Sequence, residues 1–222
     1  MKKILLMAGV AAFAFASNAN ALEVNPYVSA KLSYNWAKND VKTDIRDSYD
    51  GNYSDKTKFH KNIWGGHLAA GAKAGAFRSE IEWNHWQDAK RSYFYDGGKY
   101  RMRLQNNALL LNAYYDFNTC TRWTPYIGAG MGVAMLKFTT NDMWSEGKNK
   151  ESDRTYNFAW QIGAGVAYDL TKNIALDAGY RYINAGAAVA NKSIYSGEGY
   201  YSEKHKIDTA NHEIYLGARY TF

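Results

Sequence analysis

The stretch Ile127-Gly-Ala-Gly-Met-Gly-Val-Ala-Met135 decides how the chain is read. Ile127, Ala129, Met131, Val133 and Met135 fall on every second position, with Gly128, Gly130, Gly132 and Ala134 between them. A period of two marks a strand with one apolar face and one face of another kind. The same alternation recurs on both sides of this stretch. Val28, Ala30, Leu32, Tyr34 and Trp36 oppose Ser29, Lys31, Ser33 and Asn35. Trp64, Leu68 and Ala70 oppose His67, Gly71 and Lys73, and Ile81, Trp83 and His85 oppose Arg78, Glu80, Glu82 and Asn84. Leu109, Leu111, Ala113 and Tyr115 oppose Asn112, Tyr114 and Asp116. Towards the C-terminus come Phe158, Trp160 and Ile162 against Gln161 and Gly163, then Ile174, Leu176, Ala178 and Tyr180 against Asp177, Gly179 and Arg181. Ile214, Leu216, Ala218, Tyr220 and Phe222 against Glu213, Tyr215, Gly217 and Arg219 complete the set. Eight strands of roughly 10–14 residues result, the length a tilted strand needs to cross a bilayer.

The connections alternate between long and short. Long ones cover about 38–62, 88–103, 137–155 and 185–209, and short ones lie near Gly75–Ala76, Asn118–Trp123 and Thr171–Asn173. Long polar loops outside and short turns at the periplasmic end characterise transmembrane barrels. The predicted fold is therefore all-β: an eight-stranded antiparallel up-and-down transmembrane β-barrel. Aromatic residues make up 16% of the chain, with 19 Tyr, 7 Trp and 9 Phe. Trp36, Trp64, Trp83, Phe158, Trp160, Tyr180 and Tyr182 sit towards the long-loop ends of their strands, and Phe77, Tyr115, Phe117, Tyr168, Tyr220 and Phe222 towards the short-turn ends. Two such girdles bounding an aliphatic band suit a barrel in lipid. The alternative is a soluble barrel with its apolar face inward. Against it, the second face mixes charges with glycines, as a narrow lumen requires and a solvated surface does not.

Charge follows the same division. The formal net charge is +6. In the strands and short turns, basic residues (Lys31, Lys73, Arg78, Arg122, Lys172, Arg181, Arg219) match acidic ones (Glu23, Glu80, Glu82, Asp116, Asp169, Asp177, Glu213) one for one. Beyond Lys2 and Lys3, the excess thus lies in the long connections. An unpaired buried charge costs several kcal/mol, so lumen charges must pair. Glu80, Glu82, Asp177 and Glu213 are expected to pair with Lys31, Lys73, Arg78, Arg181 and Arg219.

Composition closes other routes. Beyond the N-terminus, none of the 222 residues belongs to an apolar run approaching the ~18–20 that a spanning helix needs. A disordered chain would be poor in aromatics. The single Cys120 excludes an intrachain disulfide or a multi-cysteine metal site. Residues 1–21 read as a cleaved signal peptide: Lys2 and Lys3, the apolar run Ile4 to Ala16, then Ala19-Asn-Ala21 as a small-x-small cleavage site. An uncleaved anchor helix is the competing reading. The barrel domain is then 22–222.

Several segments resemble the opacity-protein-like outer-membrane barrels. They are Asn112-Ala-Tyr-Tyr-Asp-Phe117, Thr124-Pro-Tyr-Ile-Gly-Ala-Gly-Met-Gly-Val-Ala134, Gly163-Ala-Gly-Val-Ala-Tyr-Asp169, Leu176-Asp-Ala-Gly-Tyr-Arg-Tyr182 and Glu213-Ile-Tyr-Leu-Gly-Ala-Arg-Tyr-Thr-Phe222. The likeness is weaker in the loops. It implies the Gram-negative outer membrane, with lipid and lipopolysaccharide as surroundings. It also implies that terminal aromatics, Phe222 with Tyr220, are part of the signal read by the barrel-assembly machinery. Members are often called porin-like, and some are adhesins, a property the strands alone do not transfer.

The connection at 88–103 is the most distinctive, with Lys90, Arg91, Lys99, Arg101 and Arg103 among Tyr93, Phe94, Tyr95 and Tyr100. Basic groups beside rings suit acidic sugars, lipopolysaccharide phosphates or a host glycan or surface protein. The plainer reading is a solvated loop or strand extensions. His60, His67, His85, His205 and His212 are scattered, without an evident nucleophile partner. His67 or His85 near a lumen carboxylate reads as a structural hydrogen-bonder. No metal-ligand spacing, phosphate-binding loop or cofactor motif is present, and export argues against nucleic acid. The expectation is a non-catalytic outer-membrane protein with a structural or surface-interaction role. A narrow diffusion channel and a lipid-modifying enzyme are the alternatives.

Overall fold

A computed structural model describes residues 23–47, 51–95, 98–144, 147–196 and 199–222, with side chains described mainly in 23–36, 62–88, 105–137, 154–186 and 210–222. The signal-peptide expectation for 1–21 lies outside these residues. Eight strands follow one another: β1 (Val24–Asp47), β2 (Gly51–Ala74), β3 (Phe77–Tyr95), β4 (Gly98–Asp116), β5 (Trp123–Trp144), β6 (Gly147–Asp169), β7 (Ile174–Ser196) and β8 (Gly199–Thr221). Each pairs antiparallel with the next, and β8 returns to β1 through Tyr27↔Thr221 up to Asp47↔Tyr201, closing the barrel.

Alternation sets the two faces. Leu32 and Leu216, paired across the β1–β8 seam, are each 70% exposed. Val28, Leu68, Leu109, Leu111, Ile127, Met131, Ile162 and Ile214 extend the same uncovered apolar wall. In water such a wall would cost about 25 cal/mol per Å² of apolar surface; in hydrocarbon it costs nothing. The rings bound it as expected. Trp36, Trp64, Trp83, Phe158, Trp160 and Tyr180 are exposed on one side, and Phe77, Tyr115, Phe117, Trp123, Tyr220 and Phe222 on the other.

The interior is narrow because β5 is nearly bare. A Cβ on Gly130 would strike Asn112 Oδ1, one on Gly128 the Tyr114 ring, and one on Gly132 the Leu109 carbonyl oxygen. Glycine thus makes room for the longer lumen side chains of β4. The short turns are compact. Gly75, with φ of +59°, closes the β2–β3 turn, and in the β4–β5 turn Cys120 takes φ of +55° while its N–H donates to Asn118 Oδ1.

One expectation is corrected. The strands run to 19–24 residues, and most of the segments 38–62, 88–103, 137–155 and 185–209 are strand, not loop. Alternation marks a strand only where one face is apolar. Past the bilayer both faces of a ladder meet water, so the pattern fades while backbone pairing continues.

Candidate functional site

Two regions carry chemistry: the lumen and the long hairpins. In the lumen, Arg78, Glu80, Glu82 and Asn84 follow one another on the inner face of β3, and the barrel's curvature aims β1, β4, β6, β7 and β8 at them. Lys31 Nζ lies 2.9 Å from Glu80 Oε1 and 2.6 Å from Glu82 Oε2. Across the barrel, Arg181 Nη1 reaches Glu82 Oε1 at 2.5 Å, and its Nη2 reaches Glu213 Oε1 at 2.6 Å. Arg181 also donates to Gln161 Oε1 and Asn84 Oδ1, both at 2.8 Å. Glu80 accepts further bonds from the Tyr27 hydroxyl at 2.9 Å and the Tyr114 hydroxyl at 2.8 Å. Both glutamates are essentially fully buried. Ionised carboxylates tolerate this only because donors surround them on several sides.

Nearer the short turns the pairing departs from expectation. Arg78 Nε donates to both oxygens of Asp116, at 2.8 and 3.0 Å, and Lys73 Nζ lies 2.9 Å from Asp116 Oδ2. Lys73 and Arg78 therefore take Asp116 as partner instead of a glutamate or Asp177. The cause is strand stagger, which sets Asp116 of β4 opposite the foot of β3. The Arg78 guanidinium is also sandwiched 4.7 Å from the centroids of the Tyr114 and Tyr126 rings. Arg219 and Asp177 are the loosest of the expected pairs, at 3.8 Å.

Above the charges lies a layer that the sequence reading missed. Trp86, Leu110, Ile183, Ala108, Ala134, Ala159 and Ala185 form a buried apolar cluster, none more than 1% exposed. Trp86 sits in register with the inward series Glu80, Glu82, Asn84, and its indole N–H donates to Glu213 Oε2 at 3.2 Å. Counting parity past Asn84 was the signal that would have found it. The lumen is thus stacked, with apolar residues at the long-hairpin end, ions in the middle and tyrosines with arginines at the short-turn end.

His67 also joins the lumen. Its Nε2 lies 2.7 Å from Ser33 Oγ and 3.2 Å from Glu213 Oε1, and its Nδ1 lies 3.3 Å from Arg181 Nη2. Arg181 Nη2 is also 3.4 Å from Nε2, so the guanidinium faces both ring nitrogens. Ser33 and Glu213 thus meet the same ring nitrogen. His85 does not face Glu82. It points outward and bonds Asn107 Oδ1 at 2.7 Å.

Lys90, Arg91, Lys99, Arg101 and Arg103 belong to the β3–β4 hairpin. The register sets Lys90 opposite Arg103, Ser92 opposite Arg101 and Phe94 opposite Lys99, so positions 90, 99, 101 and 103 fall on one face of the ladder. Arg103 is ion-paired with Asp88. The side chains of Lys90, Arg91, Lys99 and Arg101 lie outside the described residues. Tyr220 and Phe222 stand exposed on the apolar wall at the short-turn end.

The family model for the outer membrane protein beta-barrel domain matches residues 4–222. Outer membrane protein PagN of Salmonella typhimurium is 38% identical over 122 residues, 51% of this chain and 48% of PagN. Opacity protein opA50 of Neisseria gonorrhoeae is 28% identical over 138 residues, 52% of each chain. The chain spans about half the length of these curated relatives. Among solved structures, Neisserial surface protein A superposes with a TM-score of 0.47 at 18% identity, covering 90% of this chain and 99% of that one.

Proposed function

The chain belongs to the outer membrane protein beta-barrel domain family, and from this premise we propose that it is a non-catalytic surface-interaction protein whose long hairpins face outward. Its barrel is a structural support. The observation that carries the reading is the occupied lumen: Lys31, Glu80, Glu82, Arg181 and Glu213 use one another's charges, and the buried Trp86 cluster packs above them. Function then falls to the parts that project. The hairpin face bearing Lys90, Lys99, Arg101 and Arg103 suits an anionic ligand, either a host glycan or lipopolysaccharide phosphate. Tyr220 and Phe222 serve as part of the recognition signal for the barrel-assembly machinery.

The stacked lumen supports this reading over a diffusion channel, because a dry apolar constriction disfavours ion passage. The burial of His67 beneath the same layer, against the Trp86 ring, favours it over lipid-modifying catalysis. The test is binding of whole cells to a sulfated glycan and to lipopolysaccharide, with the five basic residues intact or changed to glutamine. Loss of binding in the quintuple variant is expected. Unchanged binding to both ligands would overturn the proposal.

A further inference from the structure

The barrel is not closed along its full height. Among the described residues the β2–β3 ladder ends at Gly65↔Trp86 and the β6–β7 ladder at Trp160↔Asn184. The other ladders run on towards the hairpin tips, to Asp47↔Gly51, Tyr95↔Gly98, Trp144↔Gly147 and Ser196↔Gly199. The upper part is therefore two four-stranded sheets, β7-β8-β1-β2 and β3-β4-β5-β6. Each split begins beside a register shift, between Trp86 and Ala89 in β3 and between Asn184 and Ala187 in β7. Bulges of this kind bend a strand away from its neighbour.

One cleft is flanked by β2 over residues 55–64 and by β3 over residues 87–95, neither of which forms a ladder with the other. A strand edge of this kind offers backbone N–H and C=O groups to any extended chain that arrives. The edges are also basic in sequence. Lys56, Lys58 and Lys61 with His60 outweigh Asp55 on β2, and Lys90 and Arg91 outweigh Asp88 on β3. Asp88 is already paired with Arg103.

We propose that the cleft between β2 and β3 receives an extended acidic peptide segment of a partner protein, which adds to these edges as a further strand. The proposal rests on the outward orientation of the hairpins argued above. Nine residues of β3 span roughly 30 Å at ~3.3 Å per residue, enough to register a peptide of similar length. Lysines on an edge repel a second copy of this chain, whose matching edges are also basic, and attract an acidic strand. Main-chain hydrogen bonds supply affinity and alternate side chains supply selection. A glycan would use the charge but not the ladder.

The test uses the full chain in lipid nanodiscs and a labelled ten-residue peptide alternating glutamate with valine or threonine. A second peptide carries N-methyl groups on alternate amides, and a third has lysine for glutamate. The acidic peptide is expected to bind and to slow amide exchange at 55–64 and 87–95. N-methylation, lysine replacement, or the triple variant Lys56→Glu, Lys58→Glu, Lys61→Glu should each weaken binding at least about tenfold, or 1.4 kcal/mol. Equal binding of the N-methylated peptide overturns the proposal, as does a sulfated oligosaccharide that binds while the acidic peptide does not. Asn52→Cys, placed in a Cys120→Ser chain and labelled on intact cells by an impermeant maleimide, reports orientation separately. If it labels and the peptide fails to bind, the edge proposal falls and the outward orientation stands.

Discussion

Arg181 is where single-residue energetics concentrate. Its guanidinium holds Glu82 and Glu213 apart in charge and together in space, with Gln161 and Asn84 taking its remaining hydrogens. Arg181→Met leaves two buried carboxylates facing each other and is expected to cost about 3–5 kcal/mol, read by urea unfolding in micelles. Arg181→Lys keeps the charge but not the planar fork, so it should fall between the two. Arg219→Gln should cost distinctly less, because its contact to Asp177 is loose at 3.8 Å. Equal losses for Arg181→Met and Arg219→Gln would refute the ranking. That these side chains face inward was legible from alternation alone. Their partners were not. Lys31 and Glu80 are 49 residues apart and Arg181 and Glu82 are 99 apart, and only the stagger of the closed sheet chooses between Glu80, Glu82 and Asp116. The same stagger explains the corrected partners of Lys73 and Arg78.

At the scale of elements, β5 and the β3–β4 hairpin make opposite demands. β5 must stay thin. A side chain at Gly132 meets the Leu109 backbone carbonyl, which cannot swing aside as a side chain could. Gly132→Val is therefore expected to cost about 1–3 kcal/mol, or to lower the yield of heat-modifiable folded protein on gels. The hairpin, by contrast, adds length beyond the Trp86 cluster. Replacing residues 90–103 by a two-residue Asn-Gly turn, closing the ladder at Ala89↔Leu104, should leave the heat-modifiable barrel intact and remove glycan binding. Failure of the trimmed chain to fold would show that the hairpin contributes to the barrel itself. Extended strands here were hidden from the sequence reading because Lys90 to Arg103 mixes charge and ring on both faces, as a ladder in water is free to do.

For the whole molecule, orientation and closure are the properties to measure. Cys120 lies in an exposed short turn, at the end that the proposed orientation places in the periplasm. An impermeant maleimide should leave it unlabelled on intact cells and label it after the outer membrane is opened. Labelling of intact cells would invert the barrel. The Trp86 layer should keep a planar bilayer silent. Trp86→Ala removes the largest fully buried side chain among the described residues and the indole donor to Glu213, at about 3–5 kcal/mol, and is the variant in which conductance steps are expected first. Steps of equal size in the native protein would remove the argument for a sealed lumen.

The sequence by itself determined the number of strands, the face each side chain takes and the two aromatic girdles, because a period of two and a hydrocarbon solvent leave a strand no other choice. It also placed the polar lumen, since charges beside glycines have no place on a lipid face. Only the tertiary structure decided who pairs with whom across the barrel, that Trp86 and Ile183 cap the ions, and that the upper walls part into two sheets. These depend on the shear of a closed sheet and on where its ladders stop. Both are relations between strands, and no single strand's alternation encodes them.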